Sequence, residues 1–316
     1  MYQAFCNALG PSVGVKPVPL TSFGRKFARR TSVSLLVVGG GTLLGRPEWH
    51  RRIAAAISTL RPNRVVAFGT GVLPLESPTG EDLLSYRDAD CLKSLLADFD
   101  SISVRGPRSV RSLQALGVDS RSVGDLALLN LPVRAPGPTT PSNGRVLVNF
   151  ADTPDRLRDV HATSARAAIL EAGSRLRARG FRFEAFAMEP DDFSLLSRYS
   201  AEFDRVHPYS PNPERLLNAM RNSALVVSER LHGSILAASQ RIPFLAVPYK
   251  SKVGDFAESI GAEEFILDPV YLSDPGSLVE LFIGVPESPS WYRVWGNVSK
   301  TSADARRELI SLVKGV

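Results

Sequence analysis

The sequence predicts an α/β fold made of two domains, each with a parallel sheet. Short apolar runs with the length of buried strands alternate with longer helical segments along the 316 residues. Midway, residues 131–144 contain four prolines and two glycines, a composition typical of an interdomain linker. We therefore place a first domain at residues 1–135 and a second at residues 136–316, with a cleft between them.

The first domain alternates strand and helix. Residues 2–9 read as a short helix, and residues 21–30 as a basic linker or helix. Apolar runs predict strands at residues 34–38, 64–68 and 101–104. Helical patterns follow at residues 51–60 and 81–98 and, after residues 105–109, up to residue 116, and residues 123–129 end this half of the chain.

A glycine-rich turn with the sequence GGGTLLG follows the first strand at residues 39–45. Glycine lets a ligand approach the backbone closely, so Gly40, Gly41 and Thr42 are candidate substrate-binding residues. The turn does not match the dinucleotide fingerprint, because Leu44 stands at the third glycine position, and it lacks the Gly-Lys pair of a P-loop. A tight strand-to-helix turn without any ligand is the alternative interpretation.

The same pattern restarts in the second domain. Strands are predicted at residues 145–150, 181–188, 204–207, 224–227, 243–249 and 264–267. Helices are predicted at residues 157–179, 213–222, 235–240, 254–260, 275–282 and 301–314. Residues 189–194 read as a polar loop, and residues 72–82 and 189–203 as surface loops of the kind that set specificity.

The most informative stretch is SERLHGS, residues 228–234, between the strand at 224–227 and the helix at 235–240. Ligands of open parallel sheets bind beyond the carboxyl ends of the strands, where Arg230, His232 and Lys250 are expected. Gly233 and Ser234 add backbone N–H groups and a hydroxyl at the start of the helix. Converging cations beside a helix N-terminus predict a site for a small, highly charged anion.

Two of these assignments have alternatives. Arg230 could serve only to pair with Glu229 or to cap a helix. Lys252 could take the role of Lys250, although Lys250 follows the strand directly, and either lysine alone could be a solvated charge.

A further cation, Arg105, lies at the end of a strand in the first domain and is expected to close on the anion across the cleft. Arg108, one helical turn away, is the alternative for this role. His50, His161 and His207 have no convergent partners, so we assign them surface or packing roles.

The composition excludes several classes of protein. The net charge of +6 comes from arginines spread over helices rather than clustered beside aromatic residues, so we expect no nucleic acid as a partner. The excess fits anionic substrates, an anionic membrane surface, or merely a solvated arginine-rich surface. No apolar run approaches the ~18 residues that span a bilayer, and no signal peptide is recognisable. With only Cys6 and Cys91 and no metal-ligand spacing, we expect a cytoplasmic protein without a metal.

SERLHG and the segment SILAASQRIPFLAVPYKSKVGDF that follows it closely resemble the C-terminal half of the polysaccharide pyruvyl transferase family. The blocks VRGPRSV and SVGDLALL within residues 103–129 resemble a second family motif, and GGGTLLG and GTGVLP (residues 69–74) are similar to its N-terminal glycine motifs. Together the matches run from about residue 35 to residue 260. Family members usually begin with a strand and a glycine-Asp loop, whereas this chain starts near the first helix, through truncation or loss of that strand.

The resemblance implies a fold like that of GT-B glycosyltransferases, with two Rossmann-like domains facing a cleft. The acceptor is then expected on the side of the first domain and phosphoenolpyruvate on the second. The implied activity is transfer of the enolpyruvyl group of phosphoenolpyruvate onto a sugar of a cell-surface polysaccharide or its lipid-linked precursor, forming a pyruvate ketal. No cofactor beyond this donor substrate is implied. We expect the protein to associate peripherally with the inner face of the membrane, where it binds the saccharide acceptor.

Ketal formation requires a proton at the methylene carbon of the donor and removal of a proton from the attacking hydroxyl. His232 is the candidate for this general acid or base. Arg230 suits bidentate binding of a carboxylate or a phosphate, and Lys250 adds a point charge. Glu229 is expected to orient His232 or to receive a proton from the acceptor.

Two other functions stay open. A nucleotide-sugar glycosyltransferase of GT-B type would also place a turn with glycine and histidine at the donor phosphates. It would need an acidic residue for the ribose, for which Glu258 is the only plausible candidate. A non-catalytic glycan-binding assembly protein would keep a basic cleft without turnover. The compact cluster of Arg230, His232 and Lys250 favours phosphoenolpyruvate over a nucleotide donor.

Overall fold

The computed structural model describes residues 2–18, 33–75, 83–130, 144–153, 160–221, 223–248 and 250–315. The predicted linker at 131–144, apart from its last residue, lies outside these ranges, as do the basic segment at 21–30 and most of the loop at 72–82. The chain forms two compact units. The first contains Met1–Asn130, Lys250–Gly261 and Asn297–Val316, and the second contains Leu131–Tyr249 and Ala262–Gly296.

Within the described residues, the first unit is built on a parallel sheet of five strands. They are β1 (Leu35–Gly39), β2 (Thr42–Leu44), β3 (Arg64–Val72), β4 (Ser101–Val104) and β5 (Arg121–Ser122). Their order is β1-β3-β4-β5, and β2 pairs with the end of β3. The helices that alternate with them are α1 (Tyr2–Leu9), α2 (Pro47–Leu60), α3 (Tyr86–Leu96) and α4 (Pro107–Ala115).

The second unit repeats this design. Its strands are β6 (Arg145–Asn149), β7 (Arg182–Phe186), β8 (Arg205–His207), β9 (Leu225–Ser228) and β10 (Phe244–Ala246). Its helices up to β10 are α5 (Val160–Ala178), α6 (Pro190–Ser197), α7 (Pro213–Met220) and α8 (Leu231–Ser239). The described chain closes with α9 (Ser251–Ile260), α10 (Pro275–Gly284) and α11 (Ser290–Lys314).

The five parallel strands of the second unit lie in the order β10-β9-β6-β7-β8. From β6 the chain moves outward in one direction through β7 and β8. It then returns to place β9 on the other side of β6, where Val148 pairs with Val227. The strand order therefore reverses between β6 and β9, and such a reversal opens a crevice at the carboxyl ends of the two strands.

The central strand of the first unit is buried on both faces, as expected for a parallel sheet covered by helices. Val66 and Phe68 of β3 pack in one cluster with Leu309 of α11. Ala67, which points to the opposite face, packs in another cluster with Leu92 of α3. The alternation of side chains along β3 thus explains why it reads as an unbroken apolar run.

Two segments that we expected in a continuous second domain are grouped with the first unit instead. The reason is visible in the contacts of α11. Ser302 donates a hydrogen bond of 2.9 Å to the carbonyl of Leu128, and Arg306 donates one of 3.0 Å to the carbonyl of Leu129. The apolar side chains of this half-helix, such as Leu309, complete the core around β3.

Two secondary-structure predictions in the second unit are wrong. The predicted polar loop at 189–194 is the start of α6, which has Pro190 in its first turn and buries Leu195 and Leu196. The predicted strand at 264–267 is a short 3₁₀ helix, Glu263–Phe265, and Ile266 forms only one isolated bridge to Ala246. The ring of Phe265 stacks on Trp291 at 4.0 Å, so its burial comes from packing rather than from sheet pairing.

Among the helices that the structure describes, none combines the length and the apolar character needed to cross a bilayer.

His50 is a buried histidine in α2, consistent with the packing role assigned from the sequence. Its Nε2 accepts a hydrogen bond of 2.8 Å from the N–H of Gly45, so the neutral ring carries its proton on Nδ1. Burial lowers the pKa of His50 from its ordinary value of 6.5, and the charges of Asp88 and Glu48 offset part of that effect. Protonation of Nε2 would also break the bond to Gly45.

We expect this histidine to make folding sensitive to mild acid. The unfolded chain takes up a proton at His50 near pH 6.5 while the folded state resists it, so the free energy of unfolding should fall as the pH drops below about 6.5. His50→Gln keeps an acceptor for Gly45 and should lose less stability between pH 7.5 and pH 5.5 in urea unfolding. Equal losses in both proteins would contradict the assignment.

Candidate functional site

The candidate site lies in the second unit, at the carboxyl ends of β6 and β9. The short segment 229–230 joins β9 to α8, and the backbone of Arg230 forms the N-cap of α8. His232 lies in the first turn of this helix and is partly exposed. Because the strand order reverses here, this edge of the sheet is the position where open α/β folds bind their ligands.

The guanidinium of Arg230 is held by two carboxylates. Its Nε lies 3.1 and 2.8 Å from the two carboxylate oxygens of Asp192, and its Nη2 donates to Oδ1 of the same residue at 2.6 Å. Its Nη1 lies 3.0 Å from Oε1 of Glu189. The Asp192 side chain is fully buried, whereas that of Glu189 is 57% exposed, so the two partners differ in how firmly they hold the arginine.

Asp192 is the acidic centre of this site, and sequence reasoning missed it because its segment was read as a loop. Besides Arg230, its carboxylate accepts hydrogen bonds from the N–H groups of Asp152 and Met188 at 3.0 and 3.2 Å. It also accepts one from the amide of Asn149 at 3.3 Å. Four donors compensate the buried charge. A proline followed by two aspartates is a helix-start signal that would have placed Asp192 correctly.

Asn149 joins three strand ends at the same edge. Its Oδ1 accepts from the N–H of Arg230 at 3.1 Å and from the hydroxyl of Ser228 at 3.3 Å. Its Nδ2 donates to the carbonyl of Phe186 at 3.1 Å. The residue closes β6 and is fully buried, so a polar residue at the end of an apolar strand was the signal that could have identified it.

Glu229 faces a different partner from the one expected. Nε and Nη2 of Arg166, on α5, donate to its two carboxylate oxygens at 3.0 and 2.8 Å. The N–H of Ala151 donates to Oε2 at 2.8 Å. Glu229 is fully buried and Arg166 nearly so. These contacts give Glu229 a structural role, and its predicted part in catalysis stays a prediction.

Gly233 and Ser234 lie inside α8, because this helix begins at Leu231 rather than at residue 235. The N–H of Gly233 donates to the carbonyl of Arg230 at 2.8 Å, and a Cβ at this position would lie 2.2 Å from Oγ of Ser228. Ser234 is fully buried. The glycine is therefore required for the tight start of the helix, whatever the ligand.

Arg105 is enclosed within the first unit and is only 2% exposed. Its Nε lies 3.5 Å from Asp255, its Nη1 lies 3.9 Å from Asp125, and its Nη2 donates to the hydroxyl of Thr42 at 3.2 Å. Asp255 also accepts from the N–H groups of Arg108 and Ser109, at the N-terminus of α4. The anion that these donors bind is thus a carboxylate of the chain itself.

Residues of both glycine turns of the first unit, Thr42 and Gly71, lie against this arginine. Gly40 and Gly41 have φ values of +77° and +62°, in the left-handed region that favours glycine. β3 continues through the second turn, and a Cβ on Gly71 would lie 2.4 Å from Nη2 of Arg105. Thr42 accepts its hydrogen bond from Arg105. The contacts favour a structural turn, and binding of a substrate there stays a prediction.

The two candidate lysines begin α9, where Lys250 is the N-cap residue and Lys252 lies in the first turn. Both are partly exposed. They belong to the first unit, whereas Arg230 and His232 belong to the second.

Glu258, the candidate ribose ligand of a nucleotide donor, is engaged by two arginines of α4. Nη1 and Nη2 of Arg111 donate to it at 2.7 and 2.9 Å, and Nε of Arg108 lies at 3.3 Å. The hydrogen bonds from Arg111, with those from Arg108, hold the pKa of Glu258 below its ordinary value. A ribose hydroxyl would have to displace these charged donors.

Among the described residues, no group of three or more histidine, cysteine, aspartate or glutamate side chains is placed to hold a metal ion.

Comparison with known families gives one match over most of the chain. The model of the polysaccharide pyruvyl transferase family matches residues 8–251. This range contains both glycine turns and the segment from β9 to the start of α9. No curated protein matches the chain in sequence.

Solved structures with a similar fold include two sugar-nucleotide epimerases. UDP-GlcNAc 2-epimerase from Methanocaldococcus jannaschii is 11% identical, with a TM-score of 0.57 over 98% of this chain and 88% of that chain. The enzyme from Neisseria meningitidis, bound to UDP-GlcNAc, is 12% identical, with a TM-score of 0.54 over 84% and 81%. α,α-Trehalose 6-phosphate synthase from Burkholderia multivorans is 10% identical, with a TM-score of 0.50 over 92% and 71%. At these identities the likeness shows the fold alone: it is GT-B-like with two Rossmann-like units, as the sequence predicted.

Proposed function

Because the chain belongs to the polysaccharide pyruvyl transferase family, we propose that it transfers the enolpyruvyl group of phosphoenolpyruvate to a sugar, forming a pyruvate ketal. The observation that carries the proposal is the position of Arg230 and His232 where the strand order reverses between β6 and β9. The acceptor is a sugar of a cell-surface polysaccharide or of its lipid-linked precursor. The proposal places the reaction in the cytoplasm, with peripheral association at the inner membrane face, and it includes no metal or further cofactor.

The donor carries a carboxylate and a phosphate, so the site needs net positive charge at the sheet edge. Arg166 and Arg230 are already matched by Glu229 and Asp192. The remaining attraction therefore comes from the N-terminus of α8 and from His232 when it is protonated. It also comes from Nη1 of Arg230, once the donor replaces Glu189 as its partner.

Exchange of Glu189 is the step that makes Arg230 available. A surface ion pair contributes ~0–1 kcal/mol, so an incoming carboxylate or phosphate can replace the exposed Glu189 at Nη1 at little cost. Asp192 would remain in place, because it is buried and has three further donors. In this proposal Asp192 positions the guanidinium of Arg230, and the donor anion binds Nη1 in place of Glu189.

The chemistry then needs one proton donor that is restored in the same cycle. His232 gives a proton to the methylene carbon, which becomes a methyl group, while C2 takes on oxocarbenium character. A sugar hydroxyl forms a bond to C2, and its proton returns to the imidazole. A second hydroxyl of the sugar then attacks C2, the bond from C2 to the phosphate oxygen breaks, and inorganic phosphate leaves with the proton of that hydroxyl. The products are the ketal and phosphate.

The first test is donor binding, measured as ligand-induced stabilisation. Phosphoenolpyruvate at a hundredfold excess over its dissociation constant should raise the free energy of unfolding by about 2.7 kcal/mol. UDP and GDP should give no shift. Arg230→Ala should lose the shift, and Glu189→Gln should enlarge it because the competing carboxylate is gone.

Arg230→Ala also leaves Asp192 buried without its main partner, so its own stability will fall. The readout is therefore the difference between the unfolding curves of each protein with and without ligand. Arg198→Ala removes an exposed arginine from the same unit and should keep the full shift. A shift with UDP or GDP alone would replace the proposal with a GT-B glycosyltransferase. Binding of glycan that Arg230→Ala weakens, without turnover in the wild type, would indicate a glycan-binding assembly protein.

A further inference from the structure

A second site is suggested by a cavity of about 210 Å³ in the second unit. It lies at the carboxyl ends of β7 and β8, against α7. Its lining combines cationic, hydroxyl and apolar side chains, of which the relevant ones are Phe186, Arg205, His207, Tyr209, Ser210 and Arg215. Neither Arg230 nor His232 belongs to this lining, so the cavity is distinct from the donor site proposed above.

The position of the cavity is that of a ligand site rather than of a packing defect. Ligands of open parallel sheets bind beyond the carboxyl ends of the strands, and both Phe186 and His207 are the last residues of their strands. β7 is separated from β9 by β6 alone. With strands ~4.8 Å apart, the cavity begins ~10 Å along the sheet from the strand that leads to Arg230.

The charge of the cavity is positive and uncompensated. Arg205 and Arg215 both line it, and neither pairs with a carboxylate anywhere in the described residues. Glu184, which contacts His207 of the lining, is already shared: its Oε2 lies 2.7 Å from Nε2 of His207 and 3.4 Å from Nη1 of Arg145. Two arginines left without acidic partners at one cavity point to an anionic ligand.

The remaining lining indicates what carries the anion. Tyr209 is 39% exposed and offers a ring face, Ser210 offers a hydroxyl, and Phe186 closes the floor as a buried apolar ring. A cavity of this size with an aromatic wall and a few polar groups suits a single polar ring better than a bare phosphate. We propose that it binds an acidic sugar unit, one that bears a carboxylate or a phosphate.

If the pyruvyl transfer proposed above is correct, such a unit belongs to the glycan whose acceptor sugar reaches the donor site. This last step rests on the proposed function, whereas the binding itself does not. The test therefore measures binding of sugars and of phosphoenolpyruvate separately. Glucuronate and glucose 6-phosphate distinguish a carboxylate from a phosphate, and glucose tests whether the charge is needed. Inorganic phosphate tests whether the sugar ring is needed, and UMP tests whether the cavity prefers a nucleotide.

The variant is Arg205→Gln combined with Arg215→Gln, and the matched control is Arg182→Gln with Arg198→Gln. The control removes the same charge from exposed positions of the same unit outside the cavity. By calorimetry, one of the two acidic sugars should bind the wild type at least about tenfold more tightly than glucose. The cavity variant should lose that advantage, while the control keeps it. Phosphoenolpyruvate binding should be equal in all three proteins.

Equal binding of glucose and both acidic sugars, or unchanged acidic-sugar binding in the cavity variant, would overturn the inference. So would a loss confined to UMP or to inorganic phosphate, since the ligand would then be a nucleotide or a free anion. If phosphoenolpyruvate binds none of the proteins while the cavity variant still loses the acidic sugar, the cavity assignment stands and the pyruvyl proposal fails.

Discussion

His232→Gln should lower the turnover of pyruvyl transfer by about 10²–10⁴ while leaving donor affinity nearly unchanged. Glutamine preserves a polar side chain of similar length at the first turn of α8 but cannot deliver a proton to carbon near neutral pH. Because Arg230 and the helix terminus stay in place, the donor should still bind. Turnover is measured as phosphate release that depends on both donor and acceptor, and affinity as the ligand-induced shift in unfolding.

The matched control is His50→Gln, which makes the same substitution at a buried histidine of the first unit. At neutral pH its turnover should equal that of the wild type. A fall of less than threefold in His232→Gln would exclude His232 as the proton donor. Equal falls in turnover and in donor affinity would instead make it a binding residue.

Arg166→Leu should destabilise the protein by about 3–5 kcal/mol, because it leaves the buried charge of Glu229 without its partner. Both side chains are nearly inaccessible, at 6% and 0% exposure, so water cannot replace the lost hydrogen bonds. Glu229→Leu added to this variant should restore much of the loss, since a buried ion pair can be replaced by apolar side chains. Urea unfolding of the single and double variants measures both effects.

The same helix supplies the control. Arg175 pairs with Glu171 one turn away, and both side chains are about half exposed, at 50% and 53%. Arg175→Leu should therefore cost no more than ~0.5 kcal/mol. If Arg166→Leu is as mild as this control, the pair with Glu229 contributes little and the site is held by other contacts.

The sequence was sufficient to place Arg230 and His232 at the carboxyl edge of the sheet but not to identify the ion pairs there. Apolar strands closed by polar residues identified β6, β9 and the carboxyl edge where Arg230 and His232 lie. The partner of Glu229 is Arg166, 63 positions away, and nothing local marks either residue as one half of a pair. The sequence alone therefore predicted that Glu229 orients His232 or receives a proton from the acceptor, and it said nothing of Arg166.

The misread loop at 189–194 had the largest consequence. Its polar residues predicted a loop, although Pro190 and two aspartates are typical of a helix start. Without α6 the sequence does not place Asp192 beside Arg230, and it predicts that the guanidinium is available for bidentate binding of the donor. Arg105 shows the same limit in the first unit, where Asp125 and Asp255 compensate it from distant positions.

The return of residues 250–261 and 297–316 to the first unit has a consequence for biosynthesis. A chain leaves the ribosome from its N-terminus, and domains usually fold in that order as they emerge. Here the first unit cannot finish first. The ion pair between Arg105 and Asp255 and the packing of Leu309 on β3 form only after residues 255 and 309 have been translated. Both residues follow all the described strands of the second unit in the sequence. The half made earliest is thus completed last, and until then Arg105 has Asp125 but not Asp255 as a partner and the core around β3 lacks the side chains of α11.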